Sequence, residues 1–291
     1  MKFENIRVMN FDNALRGMRN PKESYHLKDT IGGVGAFNFA LDKVTSEWMH
    51  FLNYDIREEE YRKEKETAIR MWLLENGILY SEDGVCDYTF IGPKDMKLAQ
   101  QLILGGSEHR KFLRQVFITV DITAPLYWWK EFDTYKVGTT ANSTSTMHKI
   151  DSKPIGLPFF EIGDYCGDLA ISEDGKTVQD YVENFIDFLE LLRLKYKETE
   201  DKKYWKELIR WLPEGWLQTR TVTMSYENAI NMANQREFHK LIEWSKDKDA
   251  EYESYIQFLK ELPYADELIF TKKLFQNDNR GIFPKVKMIG N

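Results

Sequence analysis

Between Val178 and Lys197, the apolar residues Val178, Tyr181, Val182, Phe185, Phe188, Leu189 and Leu192 recur at intervals of three and four. That is the spacing of one helix face, and a face of this length has to be laid on a partner layer. Five further segments carry helical signals. Glu58–Leu74 begins charged and turns apolar at Met71–Leu74, and Gly77 with the turn at Ser81–Gly84 closes it. Asp95–Leu104 gathers Met96, Leu98, Ala99, Leu102 and Ile103 before Gly105-Gly106. Asp201–Leu212 stops at Pro213, and Tyr226–Trp244 and Ala250–Leu262 read as two more helices.

Strand signals are fewer and shorter. Phe3–Phe11 alternates loosely and runs into a basic loop at Arg16, Arg19, Asn20 and Pro21. Val116–Ile122 is an apolar run, and Arg220–Met224 alternates like a short strand. Gly156–Gly175 is loop-rich. The expectation is an α+β (α/β mixed) fold, a single helix-rich domain over residues 1–291 around a small sheet. A loop-rich insertion is expected at 152–177. No Pro-, Ser- or Gly-rich linker separates periodic segments, which argues against two domains.

With 42% hydrophobic residues and 14% aromatics a sizeable core is available. The balance of 40 basic against 47 acidic residues, net -7, argues against a protein that coats duplex nucleic acid. Two cysteines with neither CxxC spacing nor a histidine cluster make a zinc site or disulfide framework unexpected, and no metal site is assigned. No apolar run has the length of a membrane span and the first residues lack a signal-peptide core, so cytoplasm is the expected location. The glycines of GGVGAFNFALDKV lack a third partner and a clear preceding strand, which argues against a dinucleotide fingerprint.

The chemistry concentrates in Thr119–Lys149. There a strand enters Pro-Leu-Tyr-Trp-Trp, rings alternate with Lys130, Glu131, Asp133 and Lys136, and Gly138–Thr146 holds four Thr, two Ser and Asn142 in nine positions. Stacking surfaces, fixed charges and short polar side chains are what a nucleotide or flavin pocket uses. Each feature also has a structural reading. Trp128 and Trp129 suit a core, the charges suit a solvated helix face, and the hydroxyl residues suit caps and turns. Arg236 and Lys240 lie one turn apart and suit either a ligand or a stripe paired with Glu237 or Glu243. His109, before Arg110 and Lys111, suits a phosphate site or a surface turn.

Three segments in order, GGSEHRKFLRQVFITVDI, Trp128–Thr146 and Arg220 with Asn234-Gln235-Arg236, resemble the flavin-dependent thymidylate synthases. That family carries Arg-Gln-Trp, Arg-His-Arg and Ser-x-Asn-Glu-x-Ser-x-Arg, then an Arg, then Asn-x-Arg on a long helix ending in Leu-Arg. Lys130-Glu131-Phe132 falls at the first pattern, Thr134-Tyr135-Lys136 at the second, and Asn142 to Ser145 at the third, with Thr140 for its leading Ser. Ser143 stands at the family's carboxylate, Met147 at one arginine, and the helix-terminal arginine falls near Ser245, beside Lys246.

The resemblance implies a cytoplasmic nucleotide-biosynthesis enzyme that binds a pyrimidine deoxynucleotide and methylates deoxyuridylate. It implies FAD as the hydride carrier, NADPH as its reductant and methylene-tetrahydrofolate as carbon donor. It assigns Arg220 and Arg236 to base polarisation or phosphate binding, as the catalytic candidates. Lys130, Glu131, Thr140, Asn142, Ser143 and Ser145 are assigned to the nucleotide, and His109, Tyr135, Lys136, Asn234, His239 and Lys240 to the cofactor. A homo-oligomer is implied, a tetramer in that family. The alternative is a non-catalytic nucleotide-binding or assembly protein that kept the fold and lost the arginines' chemistry.

Overall fold

The computed structural model describes residues 1–32, 89–245 and 254–271. The helix expected at Glu58–Leu74, its closing turn, most of the glycine-rich GGVGAFNFALDKV stretch, the start of the helix expected at Ala250 and the basic tail lie outside the described residues. Two compact units interleave along the sequence. The first comprises Met1–Arg7, Ile118–Met224 and Asn231–Glu261; the second comprises Val8–Phe117, Ser225–Ile230 and Leu262–Asn291.

The strands are β1 (Lys2–Met9), β2 (Ile31–Gly32), β3 (Thr89–Phe90), β4 (Phe117–Pro125), β5 (Thr140–Ser143) and β6 (Leu217–Ser225). Four form one small sheet in the order β1-β4-β6-β5, and β2 pairs with β3. The described α-helices are α1 (Phe11–Gly17), α2 (Pro93–Leu104), α3 (Leu126–Phe132), α4 (Thr146–Lys149), α5 (Val178–Thr199), α6 (Lys202–Arg210), α7 (Tyr226–Arg236) and α8 (Tyr255–Glu261). The mixed, helix-rich fold around a small sheet is the one expected.

In the first unit the central strands alternate cleanly. Ile118, Val120, Ile122 and Ala124 are buried, as are Val222 and Met224. On the other face, hydroxyls meet across the strands: Thr119 with Thr223 at 3.1 Å, Thr123 with Thr219 at 2.7 Å, and Thr221 donating to Asp121 at 2.6 Å. These pairs run in opposite directions, so β4 and β6 are antiparallel, and Ile122 comes opposite Arg220. Hydrogen bonds from Thr221 and then Asn5 hold the Asp121 carboxyl below its usual range.

The long helix starts with a capping box, Thr177 and Asp180 each accepting from the other's backbone amide. Its inner face meets a cluster in which Ile150, Ile155, Phe160, Ile186, Leu189 and Leu208 are buried. A second cluster is aromatic. Trp128 stacks on Trp244 at 4.4 Å, and Tyr255 and Phe132 complete it. Both tryptophans of α3 are buried, which settles the choice left open for them in favour of the core.

In the second unit Asp29 caps α2, accepting from the amides of Lys94 and Asp95 at 2.8 and 2.9 Å. Gly92 permits this approach, since a Cβ there would lie 2.3 Å from Asp29. Arg19 donates to buried Asp95 at 2.6 Å, and Arg110 grips Glu227 through two nitrogens at 2.8 and 3.1 Å.

Three expectations need correction. Arg16 belongs to α1 rather than to a loop, because Phe11, Ala14 and Leu15 supply a buried helical face. The hydroxyl-rich run is partly an edge strand, β5. The helix expected over Tyr226–Trp244 ends at Arg236. A straight helix would carry Trp244 about 12 Å further along its axis, whereas a turn sets its ring 5.4 Å from the Arg236 guanidinium.

Candidate functional site

Within the first unit, α3 and the turn after it present Glu131, Asp133 and Tyr135, and two arginines close on them from different elements. Arg220, on β6, lies with its guanidinium 4.2 Å from the Trp129 ring. It donates to Asp133 at 3.0 Å and to the Gln218 side chain at 2.9 Å. Arg236, at the end of α7, donates to the Tyr135 hydroxyl at 2.7 Å and pairs with Glu131. Tyr135 donates its own hydroxyl hydrogen bond to the Gln235 side-chain oxygen at 3.0 Å. The Trp244 and Tyr135 rings flank the Arg236 guanidinium at 5.4 and 5.5 Å.

Local structure explains the convergence. Arg220 continues the apolar side of β6 beyond Val222 and Met224, so its charge is directed under α3, where Trp129 covers it. The Trp129 indole donates to the Gln218 carbonyl at 2.9 Å and fixes the ring. Beside this, Tyr127 donates to buried Glu243, and burial followed by that bond pushes the tyrosine hydroxyl up from its ordinary range. Of the two partners foreseen for the Arg236 stripe, Glu237 and Glu243, the second is taken by Tyr127, and Arg236 takes Glu131. Both arginine pairs are half-sheltered, and both carboxylates keep contact with water.

The other candidates are distributed as follows. Ser143 faces Arg220 across the β5–β6 ladder, while Asn142 faces Thr221 on the opposite sheet side, and Thr140 faces Thr223. The hydroxyl run therefore divides between two faces instead of forming one lining. Ser145 caps α4, accepting from the His148 amide at 3.1 Å, and Thr144 bonds the Thr219 carbonyl. Lys130 points to solvent and pairs with Glu214 at 2.5 Å. His239 sets its ring edge-on to Trp244 at 6.4 Å. Lys136, Asn234 and Lys240 are exposed. His109 belongs to the second unit, exposed, its ring against Gly105. Sequence reasoning missed Trp244 and Gln218 as partners of the arginines. Trp244 was legible only as a helix-end aromatic, and Gln218 fell before the expected strand.

Among the described residues, no group of His, Cys, Asp and Glu is arranged to hold a metal ion, and no helix is long and apolar enough to cross a membrane. No protein-family model matches the chain, and no curated protein matches it. Solved structures do. Thymidylate synthase X from Helicobacter pylori, with FAD and dUMP, superposes with a TM-score of 0.51 at 14% identity, over 92% of this chain and 97% of that one. A second structure, the flavin-dependent thymidylate synthase of Helicobacter pylori complexed with FAD and dUMP, gives 0.43 at 18% identity, over 70% and 90%. The first likeness extends over nearly the whole of both chains, and what the two share is the fold.

Proposed function

We propose that this chain binds a pyrimidine deoxynucleotide at the arginine–aromatic cluster and acts as a flavin-dependent thymidylate-synthase-like protein, assembled as a homo-oligomer. The observation that carries the reading is the convergence of Arg220 and Arg236 on one short segment, Glu131–Asp133, each guanidinium against an aromatic ring. An arginine on a ring keeps planar, in-plane donors, the geometry that recognises phosphate or a pyrimidine carbonyl. The end of α7 at Arg236 also supports it. Arg236 keeps its place as the arginine of the Asn-x-Arg pattern, and Ser143, Met147 and Ser245 remain as the departures.

FAD, implied by the resemblance, is met by suitable chemistry. The Tyr135 and His239 rings stand beside Trp244, whose buried indole N–H has no acceptor among the described residues. Exposed Lys136 and Lys240 make no ion pair with a described residue and suit a diphosphate. Tyr135, Lys136, His239 and Lys240 would hold the cofactor, which when bound supplies the redox chemistry. Arg220 and Arg236 would orient the nucleotide and stabilise negative charge on it, with Ser143 beside Arg220 as a further donor. NADPH and methylene-tetrahydrofolate belong to the same reading as co-reactants.

A second reading, nucleotide binding without turnover, is favoured by one observation. Both arginines are already matched by carboxylates that compete with an anionic ligand. Flavin absorbance of the purified protein, reconstitution with FAD, deoxyuridylate titration and a tritium-release assay test both. Flavin and nucleotide binding with turnover supports the enzyme, and binding without turnover supports the second reading. A colourless protein that takes up neither FAD nor deoxyuridylate overturns the proposal.

A further inference from the structure

Helix α5 buries one face and leaves a second apolar stripe outside. Ile186 and Leu189 are buried on the inner side, whereas Leu191, 61% exposed, projects outward with Phe188 and Tyr181. We propose that this outer stripe pairs, antiparallel, with the same stripe of a second copy of the chain.

Spacing supplies the seam. Tyr181, Asn184, Phe188, Leu191, Lys195 and Glu198 recur at alternating intervals of three and four, the repeat that lays two helices side by side. The 22 residues of α5 give such a seam a length of about 33 Å.

The order of side chains along the seam identifies the partner. A two-fold axis set between Phe188 and Leu191 reverses the second helix, and each position then meets its complement. Phe188 meets Leu191 of the second copy, Asn184 meets its Lys195, and Tyr181 meets its Glu198. Apolar contacts fill the centre, with an ammonium–amide and a hydroxyl–carboxylate contact to either side. The Asn184 amide N–H is given to the Asp180 carbonyl, while its side-chain oxygen has no donor among the described residues. Lys195 and Glu198 pair with each other at 2.6 Å on an exposed surface, a contact weak enough to exchange. A parallel register would set Lys195 on Lys195 and Glu198 on Glu198, which selects against it.

Charge along the helix points the same way. Residues 178–190 hold Asp180, Glu183, Asp187 and Glu190 and no base, whereas residues 191–199 hold Arg193, Lys195 and Lys197 against Glu198. The helix dipole accounts for such an order only in the first and last turns, and Asp187 and Lys195 lie inside them. Asp187 is exposed and has no cation among the described residues. In the antiparallel pair, Lys195 comes between Asp180 and Asp187 of the second copy, so the acidic half of each helix lies along the basic half of the other.

The test is sedimentation velocity of the full chain over a concentration series. A single helix pair lies at the low end of interface sizes, so reversible association with a Kd of roughly 1–100 μM is expected. Leu191→Glu, at an exposed position beside the axis, should weaken it by about 50-fold or more. Asp187→Lys and Lys195→Glu should each weaken it by about three- to tenfold, and the two together should restore it to within about threefold of the wild type. In a parallel pair Asp187→Lys would strengthen association instead. Circular dichroism verifies that the variants are folded. Undiminished association of Leu191→Glu, tighter association of Asp187→Lys, or a double variant no better than the single ones overturns the pairing and leaves the homo-oligomer of the proposed function standing. A wild type that stays monomeric throughout overturns both.

Discussion

Arg110–Glu227 in the second unit and Arg236–Glu131 in the first are the same chemical pair in different surroundings. The side chains of Arg110 and Glu227 are 8% and 9% exposed; those of Arg236 and Glu131 are 15% and 35%, and those of Arg220 and Asp133 are 16% and 40%. A pair desolvated on both sides cannot exchange partners without stranding a charge, so it serves the fold. A pair whose carboxylate still touches water can release its arginine to an incoming anion and let solvent receive the carboxylate. Exposure of the acid, more than identity of the base, separates the structural pair from the candidate binding pairs.

The largest effect expected from this contrast is on stability. Glu227→Ala takes the carboxylate from a buried guanidinium and should cost about 3–5 kcal/mol, read as a fall in the denaturation midpoint. Arg236→Ala, by the same measurement, should cost about 1 kcal/mol. Equal losses at the two positions would erase the distinction. Next comes binding. Arg236→Ala removes a charge-assisted contact worth about 1.5–3 kcal/mol and should weaken deoxyuridylate binding by roughly 10- to 100-fold. Arg236→Lys should recover part of the phosphate affinity but not the planar fork. Unchanged titration curves for Arg236→Ala would remove this arginine from the site.

A smaller change in the opposite direction sharpens the comparison. Asp133→Asn keeps the side chain's size but withdraws the charge that competes for Arg220, so deoxyuridylate should bind about three- to tenfold more tightly. The corresponding exchange in the buried pair, Glu227→Gln, should lower stability and leave nucleotide affinity where it was. If Asp133→Asn weakens binding instead, the aspartate touches the ligand, and its pairing with Arg220 is no competition.

Much of the fold could be read from periodicity. α5 and α2 appear within two residues of where their apolar spacing places them, β1 and β6 overlap the alternating stretches Phe3–Phe11 and Arg220–Met224, and β4 overlaps the apolar run Val116–Ile122. The turn after Arg236 was hidden, because Glu237–Leu241 keeps a helical composition. What ends the helix is tertiary, the burial of Trp244 against Trp128 and Tyr255. The site was legible in part for the same reason. Glu131, Tyr135, Arg220 and Arg236 stood out as residues, but which carboxylate meets which arginine depends on strand register and on the bend that returns Trp244. The hydroxyl run misled by density: a strand alternates its side chains, so Asn142 and Ser143 had to part.

A third pair, Glu190–Arg193, lies between the two kinds and sets the smallest expected effect. Its side chains are 22% and 9% exposed, and both partners remain on α5 and the segment beside it. Glu190 accepts from Arg193 at 2.6 and 2.7 Å and from the Ile155 amide at 2.8 Å, and Arg193 donates onward to the Asp151 carbonyl. The Arg193 hydrogen bonds foremost hold the Glu190 carboxyl below its ordinary value of 4.5. A carboxylate with a depressed folded-state pKa contributes stability that is complete above the unfolded value and is lost as pH falls through the folded one. Glu190→Gln should therefore cost about 1 kcal/mol at neutral pH and progressively less as the pH falls through the depressed folded-state value, where the wild-type carboxyl is itself protonated. Thermal midpoints of the two proteins, measured down that range, should converge. Parallel curves would mean that the Glu190 charge contributes nothing and that the shape of the side chain alone supports Ile155. In that case exposure of the acid would already have made this pair as weak as a surface one, and the boundary between structural and exchangeable pairs would lie nearer to Arg110–Glu227.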